Sequence, residues 1–291
     1  MINKTVNKRI SVKKYVVVYL DILGYKNYIN HYPKKVNNFL RTTREAISEV
    51  VDFWNGEELW FSNDTENNPN PTIKLFSDNM ILCLKMKPLD LERLGFLFSA
   101  VASIQIKFLG EYNLLTRGSI VYGDFYIDED YVFGKALIDA YELEQKASMP
   151  RIILDNKLID LIDKTVPSMH SIANYVTYDV DGLCYVDFYK SMSPFGEPSA
   201  QGENYDYSYD DGERASYCSD IHDSLVSIIK KYNDDSKYTA SYSAEGLRIL
   251  QKYVWLLDYH NNGCDYLKFI KYKIKYSIKF ENGHPLIAIH L

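Results

Sequence analysis

Short unbroken apolar runs alternate with long amphipathic stretches through the first half of this chain. Residues 15–20 are almost wholly apolar, with Val16, Val17 and Val18 in succession, which predicts a strand buried on both faces. Gly24 then allows a tight turn into a polar helix. A further helix is predicted over 33–54, with Val36, Phe39, Leu40, Ala46, Ile47, Val50 and Val51 on its apolar face. The Asn- and Pro-rich stretch 63–71 reads as a loop. Residues 72–86 read as a hairpin turning at Ser77-Asp78-Asn79, residue types that tolerate positive φ and bond to their own backbone. Apolar residues at helical spacing (Leu94, Leu97, Phe98, Val101, Ile104, Phe108) predict a long helix over 90–112. A strand over 114–123 follows, then a hairpin over 125–133 with an acidic turn, Asp128-Glu129-Asp130. Gly134 opens a helix to about Ala147, Pro150 ends it, and 151–154 is a strand. The order is β-α-β-β-α-β-(β)-α-β, a split βαβ or ferredoxin-like pattern in an α+β chain with helices on one face of the sheet.

Beyond Leu154 the periodicity weakens. A helix fits 156–164, a hairpin fits 175–189 with its turn at Asp181-Gly182, and two helices fit 214–232 and 242–261. The last stretch, 268–289, alternates apolar residues with lysine and fits either a strand or a helix. This gives a first domain over 1–190 that holds the sheet, an acidic mobile loop over 191–213 and a helical C-terminal extension over 214–291 packed on the first domain. No internal repeat is visible.

Bulk properties narrow the classes. With 291 residues and a net charge of −6, the chain does not invite a nucleic-acid polymer or an anionic membrane. Cys83, Cys184, Cys218 and Cys264 are widely spaced without a C-x-x-C pair, so neither a zinc framework nor a disulfide scaffold is expected. Reduced thiols, a polar N-terminus without a signal-peptide core and no run long enough for a bilayer give a cytoplasmic expectation. The six histidines show no ligand spacing.

The candidate chemistry lies in two aspartates. Asp21 ends the first apolar run, in Leu20-Asp21-Ile22-Leu23-Gly24-Tyr25, and Asp78 sits inside the second, in Lys74-Leu75-Phe76-Ser77-Asp78-Asn79. A carboxylate among apolar residues is costly to bury without a cation, and two together repel. A hard divalent ion with oxygen ligands meets both demands. Taken singly, Asp21 reads as a helix cap and Asp78 as an ordinary hairpin residue; together they read as a metal pair serving phosphate chemistry.

These segments resemble the class III nucleotidyl cyclase family over roughly residues 15–155. The apolar strand ending in Asp21-Ile22-Leu23-Gly24-Tyr25, the Lys74-to-Asp78 hairpin tip, Arg117-Gly118 with Gly123, and the helix from Gly134 to Leu143-Glu144 match its motifs in order and spacing. Phe76-Ser77-Asp78, Phe133-Gly134-Lys135-Ala136-Leu137 and Ala140-Tyr141-Glu142-Leu143-Glu144 are similar to one branch, the PycC-type pyrimidine cyclases of the bacterial Pycsar antiphage system. The later Lys252-Tyr253-Val254-Trp255-Leu256 and Tyr259-His260-Asn261 are also similar to it.

The resemblance implies conversion of UTP to 3′,5′-cyclic UMP and pyrophosphate, with CTP and cyclic CMP as the alternative, in a second-messenger role against phage. It implies two Mn²⁺ or Mg²⁺ ions per site, held by Asp21, Asp78 and the Ile22 carbonyl. It implies triphosphate contacts at the turn Leu23-Gly24-Tyr25, and base or sugar contacts from Lys74, Tyr19 and Tyr131. It also implies a homodimer with sites across a symmetric interface. For the leaving pyrophosphate, Arg117, Lys135, Lys146 and Arg151 are open candidates. Where purine cyclases carry a transition-state Asn and Arg, this chain has Ile138 and Glu142, and Tyr131 stands at the purine-reading position. Neither Ile nor Glu stabilises developing phosphate charge, so a purine pocket is in doubt. A catalytically degenerate nucleotide-binding regulatory domain is the rival reading. A dinucleotide cyclase is disfavoured because 76–80 lacks a Gly-Gly-Asp/Glu-Glu-Phe tip.

Overall fold

A computed structural model describes residues 11–31, 34, 36–41, 43–45, 47–48, 71–165, 172–192, 211–236, 244–281 and 284–290. Strand β1 (Lys13–Leu23) lies between β3 (Asn79–Lys85) and β4 (Leu115–Ile127), antiparallel to both, and β2 (Thr72–Phe76) pairs antiparallel outside β3. The order β2-β3-β1-β4 is the ferredoxin-like arrangement. Beyond β4 the sheet continues through β6 (Ile152–Leu154), parallel to β4, then β8 (Cys184–Val186) and β7 (Val176–Tyr178); β5 (Val132–Phe133) pairs with the end of β4.

Alternation along β1 divides the core. Val16, Val18, Leu20 and Ile22 face the larger cluster with Met80, Leu82, Leu84 and the long helix α2 (Leu91–Tyr112), while Val17 and Tyr19 face a smaller one with Ile81, Cys83, Val121, Phe125, Ala136 and Ala140. Helix α1 (Tyr25–His31) follows the Gly24 turn. The smaller cluster is closed by α3 (Lys135–Glu144), so the helices are not confined to one face as the sequence pattern suggested. Triple-valine β1 is apolar on both sides because it is covered on both sides. Helix α3 reaches the sheet closely because Gly123 and Ala136 meet there and the buried Ser119 hydroxyl donates to the Ala140 carbonyl at 2.6 Å.

Helix α2 starts at Asp90, whose carboxylate accepts the Glu92 and Arg93 N–H groups at 3.1 and 3.2 Å, and stops at left-handed Asn113. Among the described residues it is the one helix long and apolar enough to cross a membrane, which no run was expected to be; two thirds of that apolar window is buried here as the central core helix.

After β6 come α4 (Asn156–Thr165) and the short α5 (Phe188–Ser191), the latter where the sequence suggested the hairpin's end. The C-terminal part is not wholly helical. Helices α6 (Asp211–Ser236) and α7 (Ala244–Tyr266) are followed by a 3-10 turn (Ile270–Tyr272) and a hairpin of β9 (Lys275–Glu281) and β10 (His284–His290). Asn233 clips β10 to α6 by donating to the Ile287 carbonyl at 2.8 Å and accepting its N–H at 3.0 Å. Cys218, Ile221, Leu225, Leu256 and Leu257 join the main core, so these helices share it with the sheet. The expected loops at 63–71 and 191–213 fall largely, and the helix at 33–54 in part, outside the described residues; within that last span 36–41, 43–45 and 47–48 are helical.

Candidate active site

Strand register builds the site. Asp21 stands opposite Asn79 on β3 and Arg117 on β4, and Phe76 on β2 completes the row. The next row is Lys74, Ile81, Tyr19 and Ser119. Asp78 occupies the β2–β3 turn beside Ser77, whose φ is +59°. The Asp78 carbonyl accepts the Ile22 N–H at 2.9 Å, which staples the turn to the residue after Asp21. The two aspartates therefore meet at one end of the sheet.

Their environment is crowded with charge. The Arg117 guanidinium lies 3.4 Å from the Asp21 carboxylate and also pairs with Glu144, whose side chain is 1% exposed. Burial raises the Asp21 pKa, Arg117 opposes this, and Asp78 adds to the rise. Burial raises that of Glu144 as well, against the pull of Arg117. Asn79 donates its amide to the Asp78 carboxylate at 3.1 Å and accepts the Tyr19 hydroxyl on its other side, which fixes the amide orientation. Tyr19 is buried, edge-on to Tyr141 at 5.8 Å, and its pKa is pushed up to about 12 by burial and then by Glu144 and Asp21.

The other expected residues divide. Lys74 shares the sheet face of Asp21, but its ammonium donates to the Glu129 carbonyl at 2.9 Å, bracing the acidic hairpin turn that Arg117 does not reach. Tyr131, at that turn, is 67% exposed, and its backbone N–H and carbonyl bond to Asp128. Gly24 has φ +81°, as its turn requires, and Leu23 ends β1. Tyr25 packs on Phe39 with ring centroids 5.2 Å apart. Arg151 is withdrawn from phosphate work: it is 1% exposed, paired with Asp179 and Asp181, and lies over the Tyr185 and Trp255 rings at 5.8 and 5.9 Å. Lys135 is spent on Asp139 at 2.5 Å, and Lys146 is exposed.

Four members carried no role in the sequence reading: Asn79, Glu144, Lys252 and Arg248. Asn79 and Glu144 stand inside segments already singled out. Lys252 and Arg248, on α7, come from more than a hundred residues away along the chain, and no local periodicity links them to β1. Lys252 sits in the field of Arg117, Asp21, Glu144 and Arg248.

Among the described residues no third His, Cys, Asp or Glu joins Asp21 and Asp78 in a metal-sized cluster. The donor set is oxygen-only and retains negative charge beyond what Arg117 cancels, which fits a hard divalent ion completing its shell with backbone carbonyl, water or ligand oxygens.

No protein-family profile matches the chain, and no curated protein matches it. Among solved structures, the guanylyl cyclase Cya2 is similar with 12% identity and a TM-score of 0.43, over 66% of this chain and 97% of that one. A monomeric guanylyl cyclase domain of the RhoGC fusion protein from the aquatic fungus Blastocladiella emersonii gives 11%, 0.42, 60% and 94%. An adenylate/guanylate cyclase/hydrolase from Silicibacter pomeroyi gives 14%, 0.39, 60% and 95%. Identities and scores this low carry no activity to this chain; the ferredoxin-like assignment stands on the strand order and pairing given above.

Proposed function

We propose that this protein is a pyrimidine nucleotide cyclase, forming 3′,5′-cyclic UMP and pyrophosphate from UTP, with CTP as the alternative substrate. The observation that carries the reading is the juxtaposition of Asp21 and Asp78 through the Ile22–Asp78 backbone bond. Asp21, Asp78 and the Ile22 carbonyl would hold two Mg²⁺ or Mn²⁺ ions. Such ions supply acidification of the ribose 3′-hydroxyl and charge neutralisation along the triphosphate.

The chain's own residues then have definable tasks. The 3′-oxygen bonds to the α-phosphorus, the bond to the β-phosphate oxygen breaks, and the 3′-proton passes to solvent. Asn79 holds the Asp78 carboxylate in one orientation. Arg117, bound between Asp21 and Glu144, keeps a fixed positive charge at the cleft. The turn Leu23-Gly24-Tyr25 would offer backbone N–H groups to phosphate oxygens, and Lys74, Tyr19 and Tyr131 remain the proposed base-side residues. A non-purine base is supported by Ile138 and Glu142, both exposed on α3, neither suited to steadying phosphate charge.

We assign a homodimer with the site at its interface. Phe133, Ile138 and Tyr141, exposed by 69, 58 and 52%, lie on or beside α3, large apolar side chains that a partner surface would cover, and Tyr141 meets Tyr19 at the edge of the site. The antiphage role rests on the sequence resemblance, and the proposed cytoplasmic setting on the widely spaced cysteines and the polar N-terminal stretch. The purified protein, incubated with each of the four nucleoside triphosphates and Mn²⁺, should yield cyclic UMP or cyclic CMP by mass spectrometry. Nucleotide binding without turnover, unchanged in an Asp21→Ala/Asp78→Ala variant, would instead establish the regulatory-domain reading.

A further inference from the structure

Among the described residues the carboxylate cluster leaves two cations without an ion pair, the exposed Arg248 and the half-buried Lys252. Arg117 is committed to Asp21 and Glu144, Arg151 to Asp179 and Asp181, and Lys135 to Asp139. Lys252 is half-buried, and among the described residues its ammonium has no ion pair. Its position is imposed by the fold. The Trp255 indole N–H, one turn further along α7, donates to Asp179 at 2.7 Å, and the ring lies beneath the Arg151 guanidinium at 5.9 Å. The Arg151 carbonyl accepts the N–H of Gly118 at 3.1 Å, and Gly118 follows Arg117. Helix α7 is thereby tied to Asp179 and to Arg151, whose backbone bonds to the strand that carries Arg117, and Lys252 lies in the field of Arg117, Asp21 and Glu144. Burial lowers the Lys252 pKa, and Arg117 and Arg248 lower it further, while Asp21 and Glu144 oppose them. A half-buried ammonium in the field of Arg117 is disfavoured in its charged form, and a phosphate anion beside it would favour that form.

We propose that Lys252 binds the β- and γ-phosphates of the substrate and neutralises the leaving pyrophosphate, so that the C-terminal helix completes the site from the same chain. This rests on the cyclase reading and deepens it: the positive charge missing at Ile138 and Glu142 of α3 enters from α7. When the bond between the α-phosphorus and the bridging oxygen breaks, negative charge grows on that oxygen, and an ammonium placed there is worth more at the transition state than before it.

The test is calorimetric titration of the full-length protein with inorganic tripolyphosphate in excess Mg²⁺, alongside cyclic-nucleotide kinetics. Lys252→Met should weaken tripolyphosphate binding about 10- to 100-fold, the scale of one charged hydrogen bond. Lys252→Arg should restore most of it, and Lys157→Met, at an exposed position on α4, should leave it unchanged. Thermal unfolding checks each variant, and Lys252→Gln is read by the same criterion if Lys252→Met does not fold. Wild-type tripolyphosphate affinity in a folded Lys252→Met protein overturns the proposal, as does an unchanged kcat/KM for cyclic product. Lys252-dependent tripolyphosphate binding with no cyclic product from any nucleotide upholds the anion site and discards the cyclase reading.

Discussion

At the scale of single residues, the Asp78–Asn79–Tyr19 chain shows how one hydrogen bond depends on the next. Without the Tyr19 hydroxyl, the Asn79 amide loses the partner that fixes which end faces Asp78. Tyr19→Phe should therefore raise the Mn²⁺ concentration needed for half-maximal activity about 10-fold, in line with other losses behind a metal ligand. On the proposed metal-binding role of the two aspartates, Asp21→Asn or Asp78→Asn should lower kcat by about 10³-fold or more, a loss of several kcal/mol of transition-state stabilisation; single-turnover kinetics on folded protein would measure this. His260, on α7, contributes to the pH dependence of stability. Its Nδ1 accepts the Tyr189 hydroxyl at 2.5 Å and its Nε2 donates to the Tyr272 carbonyl at 2.8 Å, so the ring is held neutral. Burial lowers its pKa from 6.5 to about 4. Between those values the unfolded chain binds the extra proton, so stability is lost as pH falls through that window, by about 3 kcal/mol at most. Urea unfolding of His260→Gln across the same pH range should show a flatter dependence than the parent.

At the scale of elements, α3 is the piece most sensitive to local geometry. Gly134, its N-cap, has φ +142°, and a Cβ there would stand 2.5 Å from the Asp124 carbonyl oxygen and 2.7 Å from the Phe125 Cα. Both obstacles are backbone of β4 and cannot rotate away. Gly134→Ala should cost about 1–3 kcal/mol by denaturant unfolding, and because α3 delivers Glu144 to Arg117, activity should fall beyond what the lost stability explains. Helices and strands of the first half were legible in the sequence because each has a strong period of its own: β1 from its β-branched run, α2 from its heptad-like stripe, the β2–β3 hairpin from its turn residues. The end of the chain was not, because Lys275 to Glu281 alternates apolar and charged residues on a hairpin held by distant partners, Asn233 and Tyr232 of α6 and Asp258 of α7. A pattern compatible with two structures is decided by what packs on it.

At the scale of the whole molecule, the two halves of the chain meet at Arg117. The strand that carries it is bonded through Arg151 to α7, and the face of α3 that bears Ile138 and Tyr141 is exposed. Ile138→Glu should convert the proposed dimer to monomer in light scattering and abolish cyclic product, with thermal unfolding of each protomer little changed because the side chain is exposed.

Sequence alone determined the element order of the sheet half and the Asp21/Asp78 pair, since short-range periodicity and the cost of an acid in an apolar run are written into neighbouring positions. Only tertiary structure decided which cations face those acids. Arg151 was as eligible as Arg117 by composition, yet packing gave it to Asp179 and Asp181, and it set Lys252 in the field of Asp21 and Glu144 from a helix more than a hundred residues downstream. Charge pairing acts through space over a few ångströms, and separation along the chain says nothing about that distance.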